Sequence, residues 1–274
     1  MSEEVVALTD LHKAVVQYMM SVRFISTEIF IEQVFKRLYL LDQPDANTDM
    51  VDYQEEAEKC ITLINENIHE LNFEIRKFKN QHTNRNYYLF VNTLSDKISR
   101  LLTKYGPNEI KYINDIIDMI MEDEDETYAI RAPTAQNIIY QSPSSSKTMK
   151  EVKSFLGELV DNGWFEHNTT TDTYSLSVRS LVELKPNLLE RYGEKNLENI
   201  NGLVSLCKRC SNIAISGIKC KNNSCFIRFH STCGKEYFQS QNSTTCPNEN
   251  CMSNWPNRDD WNENNLIRFG IEPS

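Results

Sequence analysis

Long apolar runs are missing from this chain. No stretch of about 18 consecutive apolar residues occurs, so no membrane-spanning helix is expected. An apolar leader is missing too. The start, Met1-Ser2-Glu3-Glu4, is acidic, and no secretory signal peptide is expected. Positive charge is scarce: 29 Lys and Arg stand against 39 Asp and Glu, a formal net charge of −10. A general polyanion binder is thereby excluded, and any nucleic-acid contact must come from a local patch. Cysteine is scarce over most of the length. Cys60 is the only one before position 207, and its place beside Ile61 and Leu63 reads as a small buried apolar residue.

The other seven cysteines are crowded between Cys207 and Cys251, with one histidine among them. In order they are Cys207, Cys210, Cys220, Cys225, His230, Cys233, Cys246 and Cys251. The spacings are C-x2-C, C-x4-C, H-x2-C and C-x4-C. A short knuckle turns two side chains toward one ion, and zinc needs two knuckles to close a four-ligand site, so eight ligands suit two zinc ions. A disulfide framework has no use for the embedded H-x2-C, and disulfides are rare in reducing compartments, where such spacing marks metal sites. Two pairings fit the order. Sequential pairing gives the first four ligands one ion and the last four the other. Cross-brace pairing interleaves the knuckles. The segment has few apolar residues, so metal must replace a missing core. Its local charge also differs, because residues 201–258 carry +5 against −12 for residues 1–200. Loss of one ligand, as in Cys207→Ser, is expected to unfold this module and leave the rest largely intact.

Ahead of the cysteines the hydrophobic period predicts helices over 8–23, 26–41 and 52–71, then alternation over 73–78, a turn at 82–86 and a strand over 87–91. Three helices and a hairpin form the order of a winged helix. The order repeats: a connecting helix over 95–105, an amphipathic helix over 108–121, a short element over 135–140, a helix to Asp161 capped by Ser142 to Ser146, strands at 164–165 and 174–176, and a helix over 178–192. The acidic run Glu122 to Glu126 reads as a solvated loop. The fold class is therefore α+β: winged helices at 1–94 and 95–200, a C4HC3 double-zinc module at 201–256, and a polar tail at 257–274. Lys147, Lys150 and Lys153 on one helix, with Arg76, Lys77, Lys79 and Arg85 on the first wing, permit only weak direct DNA contact against so many acids.

Tandem winged helices followed by Cys207-Lys-Arg-Cys210, Cys220, Cys225, His230-Ser-Thr-Cys233 and Cys246-Pro-Asn-Glu-Asn-Cys251 resemble the "non-structural maintenance of chromosomes element one" family. The run from Phe155 to Phe165 is similar to that family's helix leading into the second wing. The resemblance implies a RING variant with cross-brace zinc: Cys207, Cys210, His230 and Cys233 on one ion, Cys220, Cys225, Cys246 and Cys251 on the other. It implies a subunit of an SMC complex of DNA repair and recombination, paired with a MAGE-type subunit, associated with a kleisin subunit and the SMC proteins, and placed in the nucleus on chromosomes. It also implies ubiquitin ligase activity that the MAGE-type partner enhances.

A RING ligase carries no catalytic nucleophile, because its advantage lies in positioning a ubiquitin-charged conjugating enzyme. The zinc ions are structural, and Ile213, Ile215 and Pro247 are the candidates for touching that enzyme. Lys208 and Arg209 stand where many active RINGs have an apolar residue, the last knuckle is C-x4-C, and Met252 follows the final ligand. These departures predict weak, partner-dependent activity. The alternatives are a non-enzymatic assembly subunit and a PHD-type histone reader. For the latter, Thr244 stands where an aromatic residue is usual.

Overall fold

The computed structural model describes residues 8–45, 50–93, 104–241, 244–256, 261 and 265–270. Two compact units divide the chain, one comprising residues 1–80 and 84–94, the other 81–83 and 95–274.

In the first unit, α1 (Asp10–Val22) leads into β1 (Phe24–Ser26), with Arg23 at positive φ turning the chain. The Ser26 hydroxyl then accepts a hydrogen bond from Ile29 N and starts α2. This helical run consists of Thr27–Ile29, a π-helical stretch Phe30–Phe35, and Lys36–Asp42. In a regular α-helix, residues five apart point about 140° away from each other. The wider π turn brings Phe30 and Phe35, both fully buried, onto one face with ring centroids 6.0 Å apart. Asp52 caps α3 (Tyr53–Ile68) through Gln54 N and Glu55 N. A 3₁₀ turn, His69–Leu71, and the left-handed Asn72 end it.

Then β2 (Phe73–Lys79) and β3 (Asn86–Asn92) form the wing in an antiparallel sheet of order β1-β3-β2. Asn65 clamps α3 to the wing, giving its amide to Ile75 O and accepting from Ile75 N. The core joins Val15, Met19, Phe30, Phe35, Ile64 and Tyr88, and Cys60 is buried within it. Periodicity predicts the helices and the hairpin; β1, three residues long, carries no alternation to read.

The second unit repeats the order with α4 (Pro107–Met121), β4 (Ala129–Arg131), α5 (Ala132–Tyr140), α6 (Met149–Asp161), β5 (Phe165–Asn168) and β6 (Thr173–Leu176). Its sheet has the order β4-β6-β5. The short element at 135–140 is therefore helical, opened by Pro133 in its first turn. The cap of α6 is not the serine run but a capping box in which Thr148 Oγ1 accepts from Glu151 N and Glu151 returns to Thr148 N. The helix expected over 178–192 is two, α7 (Val178–Glu183) and α8 (Lys185–Tyr192), because Pro186 has no N–H to continue α7. The connecting helix expected at 95–105 falls mostly outside the described residues.

The cysteine-rich segment adds β7 (Gly217–Lys219), β8 (Arg228–Phe229) and α9 (Ser231–Gln241). Its sheet, ordered β8-β7-β9, takes its third strand from the end of the chain, β9 (Ile267–Phe269). The segment expected as a polar tail thus contributes a strand and the buried Phe269.

One continuous core runs from Tyr112, Ile116 and Leu156 through Tyr128 and Leu188 to Val204, Ile215, Phe229 and Phe269. The acidic run is likewise not simply solvated. Glu126 is buried and meets Lys195, Lys219 and Arg228 at 2.8, 2.8 and 3.2 Å. Burial alone would raise its carboxyl, but the three cations outweigh that and hold it down to about 2. Tyr128 adds a hydrogen bond to Leu203 O. A zinc module sharing its core with the second winged helix is not expected to unfold alone.

Candidate metal centre

The eight ligands arrive from four short knuckles. Cys207 N donates to Asn212 O and Ser211 N to Cys207 O, which curls the first knuckle and turns Cys210 back toward Cys207. His230 follows β8, and Cys233 lies in the first turn of α9. Strand β7 delivers Cys220, whose N–H reaches Ile227 O. Cys246 N bonds Ser253 O and closes the last loop. A Cβ at Gly217 would collide with the Phe229 carbonyl oxygen, so β7 and β8 can approach this closely only at a glycine. Phe229, Phe238 and Trp255 pack together as the aromatic centre, with centroids 5.0 to 5.7 Å apart.

Folding gathers the ligands into two groups: Cys207, Cys210, His230 and Cys233, and Cys220, Cys225, Cys246 and Cys251. Within each group the ligand atoms lie within 4.8 Å of one another. The first and third knuckles meet, and so do the second and fourth, which is the interleaved arrangement. A tetrahedral ion with ordinary Zn–S bonds sets two sulfurs about 3.8 Å apart, and a sulfur and an imidazole nitrogen about 3.6 Å apart. The Cys220–Cys251 and Cys225–Cys246 sulfurs are 3.7 Å apart. His230 Nδ1 lies 3.4 Å from Cys210 Sγ and 3.7 Å from Cys233 Sγ. The donor set therefore fits two zinc ions, each with four protein ligands and no open position. His230 Nε2 faces Ile213 O at 3.2 Å, the backbone partner that leaves Nδ1 free for metal.

Electrostatics agree. Hydrogen bonds with Cys210 and Cys233 lower the Cys207 thiol, while contacts with Cys207 and Cys210 raise Cys233. Burial opposes charge on His230, yet Cys207 and Cys210 outweigh it and push the ring up to about 10. Thiolates this close cannot all ionise unaided, and a dication at the centre stabilises all of them together.

The three residues expected to touch a conjugating enzyme separate. Ile213 and Ile215 are each 1% exposed and belong to the shared core, so neither offers a side chain to a partner. Pro247 is half-buried and lines a cleft of about 690 Å³ with Leu197, Leu206, Lys208, Phe226 and Ile227. Of the basic side chains read as DNA contacts, Lys77 pairs with Glu58 and Lys147 with Glu109. No described helix is long and apolar enough to cross a membrane. Period and spacing give Arg228, Asn222 and Asn248 no role, and they place Glu126 in a solvated run. The asparagines had a signal, since both four-residue knuckles read C-x-N-x-x-C.

Comparison with known proteins agrees with this geometry. The family described as the Nse1 non-SMC component of the SMC5-6 complex matches residues 12–184, and the RING-like domain family matches residues 207–251. A Bos taurus protein named non-structural maintenance of chromosomes element 1 homolog is 25% identical over 91% of this chain and 85% of its own length. The Homo sapiens homolog is 24% identical over the same shares, and the Schizosaccharomyces pombe protein 26% over 80% and 84%. A solved structure described as an Nse1-Nse3-Nse4 complex aligns with a TM-score of 0.66 at 21% identity, covering 91% of this chain and 98% of that one. With tandem winged helices, interleaved ligand clusters and a match over most of its length, the chain belongs to the Nse1 family of non-SMC components of the SMC5-6 complex.

Proposed function

We propose that this chain is a RING-type ubiquitin ligase subunit of the SMC5-6 complex, acting on chromosomes in the nucleus in DNA repair. It pairs with a MAGE-type subunit through its winged helices, with a kleisin subunit and the SMC proteins completing the assembly. The ligands of its two zinc ions are Cys207, Cys210, His230 and Cys233, and Cys220, Cys225, Cys246 and Cys251. The winged helices at 1–94 and 95–200, the zinc module at 201–256 and the end segment at 257–274 are its functional parts.

One observation carries the ligase reading. Interleaved clusters fix two zinc loops beside an open cleft lined by Leu206, Lys208, Phe226 and Pro247. Such a rigid surface can seat a conjugating enzyme, and holding the ubiquitin thioester in a reactive pose is all the catalysis a RING supplies. No residue of this chain attacks, donates or accepts a proton in that step.

The runner-up is a purely structural subunit. It is favoured by Lys208 lining the cleft and by burial of Ile213 and Ile215, which leave little apolar surface for the enzyme. A reconstituted ubiquitination assay with a panel of conjugating enzymes, run with and without the MAGE-type partner, separates the two. Transfer that rises with the partner and falls with Pro247→Ala supports the ligase. No transfer under any condition assigns the chain to assembly alone.

A further inference from the structure

An all-cysteine zinc site carries a formal charge of −2, one unit more negative than a site with three cysteines and a histidine. All four cysteines of the second cluster are buried, whereas three of the four ligands in the first are partly open to solvent. A buried excess of negative charge needs donors aimed at it. Two asparagines supply them in a reciprocal pattern. Asn222 stands two residues after Cys220, and Asn248 two residues after Cys246. Asn222 Nδ2 donates to Cys251 Sγ at 3.6 Å, across to the other knuckle. Asn248 Nδ2 donates back to Cys225 Sγ at 3.6 Å. The backbone N–H of each asparagine serves the first cysteine of its own knuckle, Cys220 and Cys246 respectively. Two residues thus reach all four sulfurs.

Each amide is held in the donating orientation by its own turn. Asn222 Oδ1 accepts from Ser224 N, and Asn248 Oδ1 accepts from Asn250 N, both at 3.0 Å. With the oxygen committed to the backbone, the NH₂ group is left facing sulfur. Backbone bonds Cys225 N to Asn222 O and Cys251 N to Asn248 O complete the same turn in both knuckles.

We propose that Asn222 and Asn248 are positioning residues for the all-cysteine zinc site, spreading its negative charge through reciprocal N–H···S bonds and so holding its metal against protons and chelators. The inference rests on zinc occupying both clusters, and the two are tested separately.

The experiment uses the full chain loaded with zinc, its metal content measured first, and follows metal transfer to a chromogenic chelator. Two ions in the parent chain establish the metal reading; fewer would overturn that reading rather than this one. Asn222→Asp and Asn248→Asp keep the oxygen that makes the turn but replace the donor with a negative charge facing the sulfur. Asn222→Ala and Asn248→Ala lose both. If donation to sulfur matters, both kinds of variant release one of the two ions about ten- to hundredfold faster while the other is unaffected. In the cobalt-loaded chain the sulfur-to-metal charge-transfer band also moves to lower energy, because sulfurs with fewer donors are easier to oxidise; Ser253 still donates to Cys251. Aspartate variants that release metal at the parent rate with an unshifted band, alanine variants alone being fast, would reduce both asparagines to turn formers and overturn the proposal.

Discussion

Glu126→Gln probes the tie between the second winged helix and the zinc module most directly. The Glu126 carboxylate is surrounded by three cations, and Arg228, with 7% side-chain exposure, cannot reach water when its partner is lost. Lys195 and Lys219 are about a quarter exposed and can turn to solvent, so they contribute little to the cost. The stranded arginine dominates. Removing one member of a buried pair costs about 3–5 kcal/mol, and the retained glutamine oxygen recovers part of it.

A loss of about 2–4 kcal/mol is therefore expected, or about 5–15 °C in Tm for a unit of this size. Urea unfolding in excess zinc, followed by circular dichroism and by zinc release, measures it. Both probes should move together, because Leu156 and Phe229 lie in one core. Arg228→Met completes a double-mutant cycle, with a coupling of about 1–3 kcal/mol to Glu126→Gln expected. Strict additivity, or a loss under about 0.5 kcal/mol for Glu126→Gln, would show that the cluster is a surface ornament rather than a tie.

The same carboxyl predicts a pH dependence. Its folded value lies below its unfolded value, so its contribution is present above about pH 4.5 and is lost as pH falls toward 2. The stability difference between parent and Glu126→Gln chains should be flat above pH 5 and shrink below it. Cys220→Ser should reduce bound zinc and lower the melting temperature of the second unit, leaving the first, with its own core, unchanged; hydrogen exchange resolves the two units. Ile213→Ala should cost about 2–5 kcal/mol by opening a cavity, whereas Pro247→Ala should leave stability within about 0.5 kcal/mol and act only on ubiquitin transfer. Phe229→Ala should cost about 3–5 kcal/mol and speed zinc loss, since three rings pack on it.

The ligand set was legible because metal knuckles are local. Two residues, or four, between donors suffice to turn both toward one ion, and no distant contact is needed to recognise them. The long helices and the first wing were legible for a related reason: burial on one face imposes its period on the residues themselves. Strands of three residues, β1 and β4, were not, since so short a piece pairs only because a neighbouring strand is already in place. The π-helical stretch escaped notice for the same cause, its widening being visible only in Phe30 and Phe35 sharing a face.

Which knuckles share an ion was also beyond local spacing, because sequential and interleaved pairings both satisfy it. The resemblance favoured interleaving; the distances display it. Burial of Ile213 and Ile215, the fate of Glu126, and strand β9 joining β7 are long-range events. An isoleucine or a glutamate reads alike inside and outside, and only the chain segments packed around it decide whether it meets water, a cation or a partner.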